Sequence, residues 1–403
     1  MKTEEVKALN DQYLMNTFGV RGISIARGQG TRVWDLEGRE YLDFLSGISV
    51  NNLGHCHPRV VEAIREQAGR LLHCTNLYYI EPTMRLAKIL VENCFADRVF
   101  FCNSGAEANE AALKLSRKFA KENYGEQKTE FITFRNSFHG RTFATLTATG
   151  QEKVQHGFEP LFPGVSYANF NDLASVEALI NPTTAAIMVE PVQGESGCFP
   201  ATEEFLRGLR ALCDKNQIVL IFDEIQCGLG RVGRNFAYEY YGVTPDVMTI
   251  AKSLGGGLPM GAVLAREQVA AAFTPGSHGG TMGGNPVAAA AAMVVCEELF
   301  EKNLSKMAQA SGNYLRERLL NMAKRIPVLV GVRGLGMMLA AQLNQPSAPI
   351  VKQLESRGLL CGSVSGDSIR FLPPLNVLEA EIDEACTILE KVLSEAAVAS
   401  PVA

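Results

Sequence analysis

Between residues 99 and 265 short apolar, β-branched runs alternate with amphipathic stretches, and that alternation leaves few folds open to the chain. The strand-like runs fall at 99–102, 131–134, 186–192, 218–223, 248–252 and 261–265, with helical patterns such as 107–119 and 203–213 between them. A chain that moves strand, helix, strand in this way covers both faces of its sheet with helices, which makes the sheet mainly parallel. Asn285-Pro286 then opens an Ala-rich run, 287–298. Asn suits an N-cap and Pro the first helical position, so a buried helix is expected there. Beyond about residue 300 helical segments 304–322 and 379–396 flank short strand candidates at 338–342 and 369–372. Near the N-terminus, 31–35 and 40–44 form a hairpin pattern around Glu37-Gly38. The expected organisation is an N-terminal segment (1–50) packing with a small C-terminal α+β domain (296–403), and a large α/β domain (51–295) between them.

Length and composition agree with such a plan. The 403 residues exceed one typical core and suffice for two domains. Apolar residues make up 47% and charged residues 20%, as in ordinary soluble globules. A net charge of −5 argues against a nucleic-acid partner or a polybasic membrane role. The first residues lack the apolar core of a signal peptide, and the longest apolar stretch, 287–296, is too short for a membrane span. A cytoplasmic protein is expected. The ten cysteines include no Cys-x-x-Cys pair and read as buried thiols. His55-Cys56-His57 has no acidic or histidine cluster after it to complete a metal site, so no metal is expected.

Two of the strand-like runs end in opposite charges. Ile221-Phe222-Asp223 ends in an acid, and Thr249-Ile250-Ala251-Lys252 ends in an amine before Ser253-Leu254-Gly255-Gly256-Gly257. In an alternating α/β chain the carboxyl ends of the strands open onto the ligand crevice. Taken singly, such an Asp is usually a cap and such a Lys a solvated charge. Together they suit pyridoxal 5'-phosphate: the lysine forms the Schiff base and the acid holds the ring nitrogen protonated. Asn103-Ser104-Gly105-Ala106-Glu107 follows a strand and opens a helix, a place where backbone N–H groups receive an anion. It matches neither the dinucleotide fingerprint nor a Walker loop. Phe138-His139-Gly140-Arg141-Thr142 supplies an aromatic to stack on a flat ring and an arginine to fork onto a carboxylate.

With Leu53-Gly54-His55-Cys56-His57-Pro58, Val189-Glu190-Pro191-Val192-Gln193-Gly194-Glu195, Phe222-Asp223-Glu224-Ile225-Gln226-Cys227-Gly228, the 251–257 and 279–286 segments and Arg370-Phe371-Leu372-Pro373-Pro374-Leu375 in the same order, the chain resembles the class III (ornithine-type) aminotransferases of the fold-type I pyridoxal phosphate family over nearly its whole length. Within that family it is similar in particular to the acetylornithine and succinylornithine enzymes.

The resemblance implies roles. Lys252 is the lysine that carries the cofactor and then shuttles the proton, Asp223 pairs with the ring nitrogen, and Gln226 bonds the ring hydroxyl. Ser104, Gly105 and Ala106 cup the phosphate, and Phe138 stacks on the ring. Thr281 reaches the phosphate from a second subunit, which implies a homodimer with shared active sites. Arg141 binds one substrate carboxylate, oriented by Glu190. Arg370 receives the other carboxylate of 2-oxoglutarate, and Glu195 pairs with it when no carboxylate is present. A buried arginine left unpaired is costly, which gives that gate a physical basis.

Three positions depart from the family pattern. Gly280 stands where relatives often carry a hydroxyl next to substrate, Ser196-Gly197 replaces a commoner Gly-Gly, and Phe18-Gly19-Val20-Arg21-Gly22-Ile23 is unusual. The implied reaction moves the δ-amine of N2-acetyl-L-ornithine to 2-oxoglutarate, giving N-acetyl-L-glutamate 5-semialdehyde and L-glutamate in arginine biosynthesis. Succinylornithine, ornithine and 4-aminobutyrate are alternative donors; an aminomutase and a non-catalytic pyridoxal phosphate protein are more remote readings.

Overall fold

The computed structural model describes residues 1–19 and 22–399. A seven-stranded sheet forms the centre, in the order Arg98–Cys102, Gly261–Ala265, Val247–Ile250, Val219–Asp223, Thr184–Val189, Glu130–Phe134, Val165–Ala168. Gly261–Ala265 runs antiparallel to both of its neighbours, and the remaining pairs are parallel. The mainly parallel sheet read from the alternation is therefore present. The four central strands, from Gly261–Ala265 to Thr184–Val189, are buried along their whole length, as expected where helices cover both faces.

Some strand limits differ from the sequence pattern, each for a local reason. The run 186–192 breaks after Val189, because Pro191 has no N–H to give to a ladder. The run 248–252 stops at Ile250, and Lys252 opens a short 3₁₀ turn, Lys252–Gly255. Val165–Ala168 escaped the pattern because it is an edge strand of only four residues carrying Ser and Tyr. Ile25–Gln29 escaped it as well: Arg, Gly and Gln leave it little apolar signal.

Helix Gly105–Tyr124 lies across the central strands and buries Ala108, Ala111, Ala112 and Leu115 on them. Helix Pro286–Phe300, capped by the Asn285 side chain, is apolar almost all round and sits between other helices rather than at the surface. After it, helix Leu304–Ala323 backs a four-stranded antiparallel sheet in the order Leu329–Leu335, Met338–Leu343, Ser368–Phe371, Gly362–Val364. The N-terminal strands Ile25–Gln29, Arg32–Asp35 and Glu40–Asp43 are joined by Leu359–Leu360, which pairs in parallel with Glu40–Asp43. No helix among the described residues is long and apolar enough to cross a membrane. Val20 and Arg21, within the unusual segment near the N-terminus, lie outside the described residues.

Candidate active site

Parallel pairing sets Asp223 opposite Thr249, so the two charged strand ends open side by side. Asp223 is 3% exposed. Its Oδ2 accepts hydrogen bonds from Asn109 Nδ2 (2.7 Å) and lies 2.8 Å from His139 Nδ1, and its Oδ1 accepts from the Ile225 N–H (3.0 Å). Asn109 is itself oriented by Thr249 Oγ1, which donates to its Oδ1 at 2.8 Å. Burial works against charge on His139, but the Asp223 hydrogen bond and carboxylate charge outweigh it and raise the imidazole pKa.

Lys252 adopts φ +46°, a left-handed conformation that costs a side-chain-bearing residue about 1–2 kcal/mol. The surrounding buried turn holds it there. Burial brings its amine down to about 8. Glu195 pulls it upward and Arg370 reinforces the fall.

Lys252, Asp223, Gln226, Phe138, Arg141, Gly105 and Ala106 line one cavity of about 270 Å³, together with His139, Gly140, Glu190 and Ile225. Its walls have the properties a phosphorylated pyridine aldehyde needs. There is an amine, an acid fixed by three donors, and the start of a 20-residue helix whose first N–H groups have no helical acceptor. A Cβ on Gly105 would come within 2.9 Å of Ile225, so the backbone approaches the cavity where no side chain fits. These residues fit pyridoxal phosphate.

Other expected residues stand differently. The Ser104 hydroxyl caps its own helix, accepting from the Glu107 N–H at 3.2 Å, and does not line the cavity. Arg141 is exposed, with its guanidinium 5.5 Å from the Phe138 ring centre. No ion pair joins it to Glu190; instead Glu190 accepts the Phe138 N–H at 3.0 Å, and burial lifts its carboxyl to about 8. Gly280 and Thr281 are exposed and away from the cavity, and a Cβ on Gly280 would meet nothing within 4 Å. Asn76 Nδ2 donates to the Gly280 carbonyl, which joins this loop to the exposed Leu77, Tyr78 and Tyr79.

Arg370 and Glu195 adjoin the cavity through Gln226. Arg370 is 3% exposed. Its Nη1 donates to Glu195 Oε1 (2.7 Å), the Gly194 carbonyl (3.1 Å) and Gln226 Oε1 (3.3 Å), while its Nε has no partner. Gln226 Nε2 also donates to Glu195 Oε1 at 3.0 Å. Burial pushes the Glu195 carboxyl up, but the charge and hydrogen bond of Arg370 outweigh it and hold it below the usual range.

Asn109 and His139 are the functional residues that the sequence reading left without roles. His139 lies within Phe138–Thr142 and Asn109 two residues past Glu107 in the helix that the Asn103–Glu107 run opens, and a histidine beside an aromatic just past a strand was the available signal. His55, in the histidine-cysteine-histidine motif, pairs its Nε2 with Asp43 Oδ2 at 2.7 Å.

The family profile "Aminotransferase class-III" matches residues 16–393. An acetylornithine aminotransferase of Caldanaerobacter subterraneus is 49% identical over 95% of this chain and 98% of its own length. A succinylornithine transaminase of Salmonella paratyphi A is 46% identical over 92% of each. The crystal structure of an ornithine aminotransferase from Toxoplasma gondii superposes with a TM-score of 0.94 at 34% identity, covering 99% of this chain and 97% of that one.

Proposed function

The chain belongs to the class-III aminotransferases and is a pyridoxal phosphate-dependent enzyme of the acetylornithine/succinylornithine type, and from that premise we propose that it transfers the δ-amino group of N2-acetyl-L-ornithine to 2-oxoglutarate. The products are N-acetyl-L-glutamate 5-semialdehyde and L-glutamate, a step of arginine biosynthesis. The observation that carries this reading is the Arg370–Glu195 pair, 2.7 Å apart beside the Lys252–Asp223 cavity. An amine donor without a second side-chain carboxylate leaves that pair closed. A dicarboxylic oxo acid displaces Glu195 and takes Arg370, which then stays paired throughout the cycle.

When bound, pyridoxal phosphate supplies the aldehyde that takes up the amino group and the ring that draws electron density from the reacting carbon. Lys252 holds it, and the freed amine takes the proton from the δ-carbon of the donor. A pKa near 8 leaves part of that amine unprotonated at neutral pH. Asp223, fixed by Asn109 and His139, keeps the proton on the ring nitrogen. Gly105 and Ala106 give N–H groups to the phosphate, joined by the Ser104 hydroxyl once it turns from its cap. Phe138 covers the ring face, Gln226 reaches the ring hydroxyl, and Arg141 takes one carboxylate of each substrate, the other carboxylate of 2-oxoglutarate going to Arg370. Thr281 of a second copy completes the phosphate site. Exposed Leu77, Tyr78, Tyr79 and Met282 beside it support a homodimer, because an apolar patch of this kind is seldom left to water.

The same chemistry on succinylornithine is the second reading, favoured by the 46% identical succinylornithine enzyme and by the open space at Gly280. The deciding experiment records the visible spectrum of the purified protein with N2-acetylornithine, succinylornithine, ornithine and 4-aminobutyrate in parallel. Fastest loss of the cofactor band with N2-acetylornithine, reversed by 2-oxoglutarate, is expected. Faster loss with another amine moves the assignment to that donor.

A further inference from the structure

The loop that carries Glu195 is gripped from outside the cavity. Arg333, on strand Leu329–Leu335, donates from Nε to the Gly197 carbonyl at 3.1 Å and from Nη2 to Ser368 Oγ at 2.8 Å. Gly197 is two residues beyond Glu195, and Ser368 is two residues before Arg370 on the same strand. One guanidinium therefore ties the backbone just beyond Glu195 to a side chain on the strand that bears Arg370. We propose that Arg333 is a positioning residue that keeps Glu195 closed on Arg370, and so sets how the site divides its preference between amines with one carboxylate and amines with two.

The inference rests on the gate reading of Glu195 and Arg370 given above. Register supports the geometry. Arg333 pairs with Ala340, and Ala340 pairs with Arg370, so the two arginines lie in one row across the sheet. Only the Ala340 methyl stands between them in that row. The Arg333 guanidinium lies 4.1 Å from the Phe199 ring centre, which fixes its plane as well as its position. The exposed Ser365, in the turn before Ser368–Phe371, adds a second hold by donating to the Ser196 carbonyl. Gly197 has φ +114° and cannot be replaced by a larger residue. A Cβ there would lie 2.6 Å from Ser365 Oγ and 2.9 Å from Arg333 Nη2. The backbone has come close because these two side chains hold it.

Lysine cannot substitute for this arrangement. Its compact head has no fork with which to reach both acceptors in the orientation the guanidinium has here. Without the hold, the 194–199 loop moves more freely, Glu195 covers Arg370 less of the time, and a dicarboxylate gains access. The long-range field of Arg333 predicts the opposite sign, since loss of a positive charge weakens a dicarboxylate. The direction of the change therefore separates positioning from simple charge.

The test uses the holoenzyme and its Arg333→Ala, Arg333→Lys, Ser365→Ala and Glu195→Gln variants. For each, the rate of loss of the cofactor band gives kcat/KM with L-glutamate and with N2-acetylornithine, and amide hydrogen exchange is followed across residues 194–199. Arg333→Ala and Arg333→Lys are both expected to raise the glutamate-to-acetylornithine ratio, by about tenfold for the alanine variant, the scale of losing a charge-assisted hydrogen bond. Exchange in 194–199 should quicken in both. Ser365→Ala should move the ratio the same way by less. An unchanged ratio in the Arg333 variants, beside a raised ratio in Glu195→Gln, overturns the proposal and leaves the gate standing. A lowered ratio in Arg333→Ala with a wild-type ratio in Arg333→Lys also overturns it, by showing a field effect. No response in Glu195→Gln overturns the gate reading itself. Should the Arg333 variants fail to fold, a wild-type ratio and wild-type exchange in Ser365→Ala count against the proposal.

Discussion

His139 Nδ1 lies 2.8 Å from Asp223 Oδ2, and both side chains are removed from water. The contact turns a lone buried acid into one member of a network. Asn109 donates to the same oxygen, and Thr249 orients Asn109. A carboxylate so held can face a protonated ring nitrogen without rotating away from it. The linkage also has a sign. Because the folded pKa of His139 is raised, its stabilising contribution is fully present below about 6.5, its ordinary value. That contribution fades as pH rises through the folded value.

Replacement of His139 by Phe keeps a flat ring and removes the donor. The expected result is cofactor affinity reduced about tenfold, the size of one hydrogen bond to a charged group. The catalytic rate should fall with it, since only Asn109 and the Ile225 N–H then restrain Asp223. Cofactor titration of the apoprotein, followed by turnover at saturating cofactor, measures both effects. Unaltered affinity and rate would show that Asn109 and Ile225 suffice.

Lys252 carries the pH prediction. Burial lowers its pKa from 10.5 to about 8, so capture of pyridoxal phosphate by the apoprotein should accelerate up to about pH 8 and then level off. Stability of the apoprotein follows the same window with a definite sign. Between about 8 and 10.5 the unfolded chain binds the proton that the folded chain has lost, so stability rises with pH there. Rapid-mixing absorbance across pH 6.5–10 gives the first curve, and urea midpoints give the second. A capture rate still climbing towards pH 10 would contradict the lowered value. Lys252→Ala should abolish turnover in a folded protein, and substantial residual activity would defeat the mechanism.

Arg370→Gln separates the two half-reactions. Truncating one partner of a buried charge pair typically costs about 2–5 kcal/mol, so the KM for 2-oxoglutarate should rise at least about 30-fold. The half-reaction with N2-acetylornithine, which does not present a second carboxylate to Arg370, should change little. Single-turnover kinetics with each substrate read the two effects separately. Equal damage to both halves would mean that Arg370 supports the site generally rather than receiving one substrate.

The parts of the site legible in the sequence were those that chain-local rules can place. Asp223 and Lys252 could be found because each ends an apolar run, and parallel pairing brings such ends to one edge. Helix Gly105–Tyr124 began where its Ser-Gly start put it. What stayed hidden depends on closure in space. Asn109 lies on the helix face turned to the strand ends, and its role follows only once His139 and Thr249 converge on it. Ser104 is a good cap and a good phosphate donor, and the letters alone cannot say which use the hydroxyl has at a given moment. Thr281 and Gly280 stand at the surface, outside the cavity of their own chain, a placement no chain-local rule gives. Arg333 looked like any strand arginine, because Gly197 and Ser368 lie far from it in sequence.

Arg231 supplies the stability prediction. It is fully buried yet has no carboxylate partner, and burial draws its pKa down to about 9, which still leaves it charged at neutral pH. Its guanidinium instead donates to the carbonyls of Met337 (3.0 Å) and Pro373 (2.6 Å), to Ser49 Oγ (2.9 Å) and to Asn52 Oδ1. These acceptors come from three distant parts of the chain, and Pro373 is only three residues after Arg370. A methionine at this position is similar in length but leaves four buried acceptors without donors. At about 1 kcal/mol or more for each orphaned group, Arg231→Met should destabilise the protein by roughly 3–5 kcal/mol. The urea midpoint of the apoprotein measures this, and the affinity for 2-oxoglutarate should weaken in parallel, because the segment after Arg370 loses its anchor. A midpoint within experimental error of the parent would show that water or rearranged side chains replace the guanidinium at no cost.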